Sequence, residues 1–260
     1  MSNFIDNELK ESKKYNLTKT DNLLDLMVDN VAKVEAMIRN DSTYRKASSK
    51  LSAPNGKYKG STAYWIAQFD SFVKTCSNND EINKTTEYIN LIRNIIEAID
   101  RENITHLNSD KVGIDELTER VCLHNLSELI KLLKNPSPEY LLIKELSSLT
   151  YPTSKSIKGY NYKARENFSF ATKFCHYMAF YLFAGTKEAD NFSIYDNVLD
   201  KAIRFYKDDT ISGNKHQKKI KFEGNYSLYI SFIDSIISNV GNHISRNGFD
   251  HLLWYYYKGE

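Results

Sequence analysis

Residues 167–183 read NFSFATKFCHYMAFYLF, and this stretch decides the class of fold. It contains neither glycine nor proline, and it starts with Asn167, a residue type that caps helices. Apolar residues recur every three or four positions, which predicts a helix from about Phe168 to Phe183. One face of this helix would carry Ala171, Phe174, Cys175, Met178 and Leu182, and another would carry Lys173, Tyr177 and Phe180.

Helical spacing continues outward from this stretch in both directions. It predicts further helices that begin at residues able to cap a helix N-terminus, namely Asp21, Ser61, Asp80, Asp115 and Asp196. Two more helices are predicted to close the chain, at about 225–240 and 244–257. The 260 residues include 10 glycines and 4 prolines, too few for a turn-rich β protein. The predicted fold class is therefore all-α.

The charges of the chain are unevenly distributed. The formal net charge is +2, but residues 150–222 contain 13 lysines and arginines against 7 aspartates and glutamates. Such a local excess of positive charge is typical of a surface that attracts an anionic partner. We therefore predict two helical lobes around a cleft, an N-terminal lobe at 1–150 and a C-terminal lobe at 151–260.

Cysteine usage and hydropathy indicate the compartment. The three cysteines are widely spaced and form no even-numbered framework, which is typical of a reducing environment. The first 14 residues are polar and charged, and no later segment has 18 uninterrupted apolar residues. We expect a cytoplasmic protein that has no membrane segment and works as a monomer.

Metal and cofactor motifs are missing from the sequence. The six histidines show no His-Glu-x-x-His or comparable spacing. The neighbouring pairs Cys122 with His124 and Cys175 with His176 each supply only two ligands, and ordinary packing explains them. No run of glycines forms a Walker loop or a dinucleotide fingerprint. We expect no metal and no cofactor.

Lys173 and Asp196 are the residues with candidate chemistry. Lys173 is a lone cation beside aromatic residues on a largely apolar helix, and Asp196 comes 23 residues later. At the predicted start of the next helix, the free amides and the helix dipole favour an ionised carboxylate. Two structural interpretations stay open. Asp196 could be only a cap, and Lys173 could be an exposed lysine whose stem covers the core.

The order of these features resembles the helix-hairpin-helix DNA glycosylase superfamily, most closely its 8-oxoguanine glycosylase branch. In that family a Gly-Val-Gly-Thr-Lys-Val-Ala-like run precedes a Val-Asp-x-His-Val-like run at the next helix. The matching runs here are FSFATKF at 168–174 and SIYDNV at 193–198, after a basic segment with aromatic residues at 150–167. The resemblance covers about 40 residues. The rest of the chain matches in being helical and of suitable length.

The sequence departs from the family at the hairpin. The family usually carries Leu-Pro-Gly-x-Gly there, with backbone amides that hold DNA phosphate. Phe168 and Phe170 occupy the glycine positions here, so the hairpin is altered or is replaced by Lys158-Gly159-Tyr160. The spacing from lysine to aspartate is a few residues longer than in the commonest members. Three scattered cysteines exclude the iron–sulfur cluster of some members.

The resemblance implies a role for each candidate residue. Asp196 would stabilise the positive charge that develops on the sugar, and Lys173 would attack C1′ to form a Schiff base. Tyr177 and Trp254 would stack on the flipped-out base. The phosphates of double-stranded DNA would be held by two basic clusters, Lys155, Lys158, Lys163 and Arg165, and Lys215, Lys218 and Lys219.

The predicted function is that of a DNA glycosylase, with or without lyase activity. Its substrate would be an oxidised purine or a modified base of the phage type, in repair or in defence. The alternative is a non-catalytic helical nucleic-acid-binding protein or a protein-interaction subunit of a bacterial system. A binding protein would tolerate Lys173→Gln, and an interaction subunit would lack salt-sensitive affinity for DNA.

Overall fold

The computed structural model describes residues 16–21, 23–40, 60–76, 85–103, 107, 112–149, 165–206, 221–239 and 244–258. Regular structure in these residues is predominantly helical, which confirms the all-α prediction. No helix within these ranges is long and apolar enough to cross a lipid bilayer. Outside them lie the predicted cap Asp80 and the basic residues Lys155, Lys158, Lys163, Lys215, Lys218 and Lys219.

The helices of the described residues are α1 (Val28–Asn40), α2 (Thr62–Thr75), α3 (Thr86–Asn103), α4 (Val112–Cys122), α5 (Leu126–Lys134), α6 (Leu141–Ser147), α7 (Phe168–Leu182), α8 (Asn197–Ala202), α9 (Tyr226–Asn239) and α10 (Arg246–Lys258). Short 3-10 helices follow at Lys187–Asp190 and Ile203–Phe205. Strand β1 (Lys19–Thr20) pairs antiparallel with β2 (Leu23–Leu24), and β3 (Ser148–Leu149) pairs antiparallel with β4 (Arg165–Glu166).

The chain divides into two compact units. The first comprises residues 1–44 together with 193–260, and the second comprises residues 45–192. The boundary that we predicted at residue 150 falls inside the second unit, between α6 and α7.

Helix α7 occupies the centre of the second unit. It packs against α2, α3, α5 and α6. Because neighbours surround it, residues on most sides of α7 are buried, among them Phe170, Phe174 and Met178. Immediately before α7, β4 pairs with β3, and the amide of Asn167 donates to the carbonyl oxygen of Ser147 at 2.8 Å. Leu149 and Arg165 are therefore paired next to the start of α7.

Helix α10 is the main packing partner in the first unit, where it contacts α1, α8 and α9. Its core side chains Phe249, Leu252, Leu253 and Tyr256 are fully buried. Gly248 lies where α10 approaches α1, because a β-carbon added there would be 2.9 Å from Cγ1 of Val31. The close approach of the two helices therefore depends on the missing side chain at this position.

The N-terminal helix differs from the prediction. We expected Asp21 to open a helix that included Leu23 and Leu24, but α1 begins at Val28 and these leucines form β2. Asp21 adopts a φ of +50° in the turn, a conformation that aspartate tolerates. The side chain of Asn30 then ties the hairpin to α1 by donating to the carbonyl oxygens of Thr18 at 2.9 Å and Asp25 at 2.8 Å. Helical spacing alone could not reveal this turn.

Several other predicted helix ends agree with the structure. Ser61 caps α2, and its Oγ accepts a hydrogen bond from the amide of Tyr64 at 3.1 Å. The two closing helices, α9 and α10, lie within two residues of their predicted bounds. Asp115 is different, because α4 begins at Val112 and Asp115 lies in its first turn. Asn167 directly precedes α7 as predicted, but its side chain does not form a capping hydrogen bond. Capping side chains act locally, which is why starts such as Ser61 could be predicted.

Candidate functional site

Lys173 lies in the second unit, in the middle of the central helix α7. It is 7% exposed, and its Nζ lies 3.1 Å from Oγ of Ser169, one turn earlier. The alternative that Lys173 is an exposed lysine on the outside of a core helix is therefore wrong. The sequence could not reveal this, because the face of α7 that carries Lys173 is covered by neighbouring helices rather than by solvent. Burying an amine is costly, and buried amines are often functional.

Tyr177 follows Lys173 by one turn and is half-buried. Its hydroxyl donates to Oδ1 of Asn103 on α3 at 3.1 Å, and its ring stacks on Tyr181 with centroids 6.5 Å apart. The side-chain amide of Asn103 in turn donates to the carbonyl oxygen of Ile99 at 3.0 Å. Tyr177 is thus held in a defined orientation near Lys173. Its role as a stacking partner for a base stays a prediction.

His176 is a buried polar residue of α7 that the sequence analysis considered only in its pair with Cys175 and ascribed to packing. It is 1% exposed, and its Nδ1 lies 2.9 Å from the carbonyl oxygen of Phe192. Its ring stacks parallel to Phe180, with centroids 5.9 Å apart. Since a carbonyl oxygen can only accept, Nδ1 carries the proton in this contact. Apolar periodicity did not distinguish His176 from a packing residue.

Asp196 lies in the first unit and caps α8. Its Oδ1 accepts hydrogen bonds from the amides of Val198 and Leu199, both at 2.9 Å. The prediction that a helix opens at Asp196 is confirmed. Among the residues that the structure describes, the second oxygen, Oδ2, accepts no hydrogen bond. One carboxylate oxygen is therefore engaged by the helix, and the other remains available for a ligand or a water molecule.

The segment before Asp196 is held by side chains rather than by a neighbouring strand. Tyr226 on α9 accepts from the amide of Ser193 at 2.7 Å and donates to its carbonyl oxygen at 2.6 Å. Tyr229 donates to the carbonyl oxygen of Ile194 at 2.6 Å. Asp250 on α10 accepts from the amide of Ile194 through Oδ2 at 2.8 Å. We call Tyr226, Tyr229 and Asp250 the clamp.

Charged groups of both signs lie near the start of α8, where Arg204 pairs with Asp200 at 2.6 Å. Burial, together with the carboxylates of Asp200, Glu223 and Asp196, raises the pKa of Tyr195 to about 12. Burial raises the pKa of Tyr229 well above its ordinary value, and Asp250 adds to this effect. Both hydroxyls therefore stay protonated near neutral pH, which lets Tyr229 donate to the carbonyl oxygen of Ile194.

The thiols of Cys122 on α4 and Cys175 on α7 are poor candidates for a nucleophile. Burial raises the pKa of Cys175 well above its usual range and that of Cys122 to about 11. A thiol attacks as its thiolate, and neither residue ionises near neutral pH. Within the described ranges, no group of three or more histidine, cysteine or acidic side chains is arranged to hold a metal ion.

The predicted site residues are distributed over both units. Lys173 and Tyr177 lie together on α7 of the second unit, whereas Asp196 and Trp254 belong to the first. Trp254 is half-buried and makes an edge-to-face contact with Tyr255, at 5.0 Å between centroids. Arg165 lies in β4, directly before α7. The other basic residues of the two clusters lie outside the described residues.

Comparison of this chain with models of protein families, with curated proteins and with solved structures finds no match.

Proposed function

We propose that this chain is a DNA glycosylase that flips out and excises a damaged or modified base, with Lys173 as its nucleophile and Asp196 as its carboxylate. The observation that carries the proposal is the position of Lys173. A lysine that is 7% exposed in the middle of the central helix of its unit is hard to explain as a solubilising residue. Its Nζ lies 3.1 Å from Oγ of Ser169.

The chemistry requires a neutral amine at C1′ of the deoxyribose. The lone pair of Nζ would form a bond to C1′ while the glycosidic electron pair leaves with the base, which takes up a proton. The proposal requires that part of the Lys173 amine be unprotonated, since only the neutral form attacks. Loss of an Nζ proton and opening of the sugar ring would then give a Schiff base to Lys173.

Asp196 would act on the charge that develops on the sugar. Oδ1 is occupied by two helix amides, so the carboxylate is held in one orientation at the start of α8. Oδ2 could then face a cationic sugar or a water molecule. A fixed carboxylate stabilises such a charge more than a mobile one, because it does not have to reorganise during the reaction.

DNA binding is supported by the basic composition of residues 150–164, which include Lys155, Lys158 and Lys163. The residues that flank this segment in sequence pair as β3 and β4, and β4 directly precedes α7, the helix that carries Lys173. Lysine and arginine contacts to phosphate would give affinity that depends on salt and not on sequence. The base that is read stays open between an oxidised purine and a modified base of the phage type.

The test is reductive trapping. The purified protein is mixed with duplex oligonucleotides that carry 8-oxoguanine or an abasic site, and sodium borohydride is added. We expect a covalent protein–DNA adduct that is lost in Lys173→Gln and retained in the control Lys144→Gln, since Lys144 is exposed on α6. An adduct of equal yield in both variants, or none with the unaltered protein on either duplex, would contradict Lys173 as a nucleophile.

The second candidate function is that of a non-catalytic helical nucleic-acid-binding protein. The observation that favours it is the pair of capping bonds from Asp196, which by themselves explain an aspartate at the start of α8. A binding protein would give no adduct but would still bind duplex DNA with a steep dependence on salt. A protein-interaction subunit would show neither property.

A further inference from the structure

We infer that the clamp (Tyr226, Tyr229 and Asp250) is a set of positioning residues that fixes where the carboxylate of Asp196 lies. The inference rests on the proposed function for its catalytic consequence, but its structural part can be measured without activity. None of the three side chains is assigned a role by the sequence pattern. They come from α9 and α10, and they reach a segment that lies 33 to 56 residues away in the chain.

The clamp satisfies every main-chain polar group of two consecutive residues. The amide and the carbonyl oxygen of Ser193 bond to Tyr226, the carbonyl oxygen of Ile194 bonds to Tyr229, and the amide of Ile194 bonds to Asp250, all within 2.6–2.8 Å. A buried extended segment normally obtains such bonds from a neighbouring strand. Here side chains take the place of that strand, so the segment is fixed at each peptide group.

The same two helices hold the residues on either side of Asp196. Tyr195 packs edge-to-face on Tyr229, with centroids 5.2 Å apart and ring planes at 89°. After Asp196, α8 packs against α10, the helix that supplies Asp250. Asp196 thus lies between a clamped segment and a packed helix. Its backbone cannot shift unless at least one of these contacts is broken.

This degree of restraint exceeds what a helix cap requires. A capping aspartate forms its two amide bonds within its own turn, and it needs no support from residues far along the chain. A carboxylate that must face a transient charge does need such support, because a misplacement of about 1 Å can lower a rate about 100-fold. The clamp therefore fits a carboxylate that must face a transient charge better than it fits a simple helix cap.

The experiment compares hydroxyl deletions in the first unit. Tyr226→Phe and Tyr229→Phe each remove hydrogen bonds to the segment before Asp196. Tyr257→Phe is the matched control, because it removes a buried hydroxyl of α10 that contacts Tyr206 at 3.0 Å and not this segment. Thermal denaturation identifies variants that remain folded. The rate of base release under single turnover and the Kd for duplex DNA are then measured for each.

We expect Tyr229→Phe and Tyr226→Phe to lower the rate of base release about 10-fold or more at an unchanged Kd, and Tyr257→Phe to change neither. Asp250→Asn, which keeps an oxygen acceptor for the amide of Ile194, should recover most of the rate that Asp250→Ala loses. Folded clamp variants with the same rate as Tyr257→Phe would overturn the inference.

A second measurement separates the inference from the proposed function. Amide hydrogen exchange of Val198 and Leu199 reports directly on the capping bonds of Asp196. We expect Tyr229→Phe to speed their exchange several-fold relative to Tyr257→Phe. If the unaltered protein releases no base, the proposed function fails, and the exchange rates alone decide the inference. Unchanged exchange in the clamp variants would overturn it.

Discussion

Replacing Gly248 with alanine tests the packing of α10 on α1 in the first unit. The new β-carbon would lie 2.9 Å from Cγ1 of Val31 and 3.3 Å from Oγ of Ser245. Carbon atoms in favourable contact are about 3.5–4.0 Å apart, so Val31 or one of the two helices has to move. The valine cannot easily turn away, because its branched β-carbon restricts its rotamers in a helix.

The expected change in the free energy of unfolding is the sum of two opposing effects. Overpacking a well-packed contact costs about 1–3 kcal/mol. Alanine in place of glycine in a helix returns about 1 kcal/mol through its higher helix propensity. We therefore expect Gly248→Ala to lower the free energy of unfolding by about 1 kcal/mol.

Urea denaturation followed by circular dichroism measures this change. The control is the same substitution in a Val31→Ala background, where both γ-carbons that the new methyl group meets are gone. There Gly248→Ala should be neutral or stabilising, by up to about 1 kcal/mol. If Gly248→Ala stabilised the protein equally in both backgrounds, α1 and α10 would not pack as described.

Two further predictions concern Asp196 and His251. Asp196→Asn should abolish base release but change the free energy of unfolding by only a few tenths of a kcal/mol, because asparagine caps as well as aspartate. Asp196→Ala should abolish base release and also cost about 1 kcal/mol of stability. Base-release assays report on the charge, and urea denaturation reports on the cap. Burial lowers the pKa of His251 from 6.5 to about 4, so the unfolded chain binds a proton before the folded protein does as the pH falls. Stability should therefore decline between pH 6.5 and pH 4, by up to about 3 kcal/mol from this residue, and His251→Gln should remove that part of the pH dependence. Parallel slopes for the two proteins between these pH values would refute the assignment.

Helices and their starts could be predicted from short stretches of sequence. The bounds of α7, the cap at Ser61 and the start of α8 at Asp196 depend on residues within one or two turns. The β1–β2 hairpin could not be predicted in the same way. Leu23 and Leu24 have apolar spacing that suits a helix, and the bonds of Asn30 to the hairpin appear only when the chain has folded back.

Some residues of the candidate site could likewise be predicted from short stretches of sequence, and others could not. Lys173 could be singled out as a lone cation on an apolar helix, and Asp196 as the residue at the start of the next helix. The sequence offered no sign of the clamp, because tyrosines at helical spacing are most often core residues.

By itself, the sequence of this protein determined the all-α class, the positions of its main helices and two residues that are candidates for chemistry. Those properties depend on side-chain periodicity and on capping groups, which act over a few residues. Only the tertiary structure decided that Lys173 is buried, since this follows from the four helices packed around α7. It also decided what holds Asp196 in place, because each clamp bond joins residues more than 30 positions apart, and only the folded chain brings such residues within 3 Å.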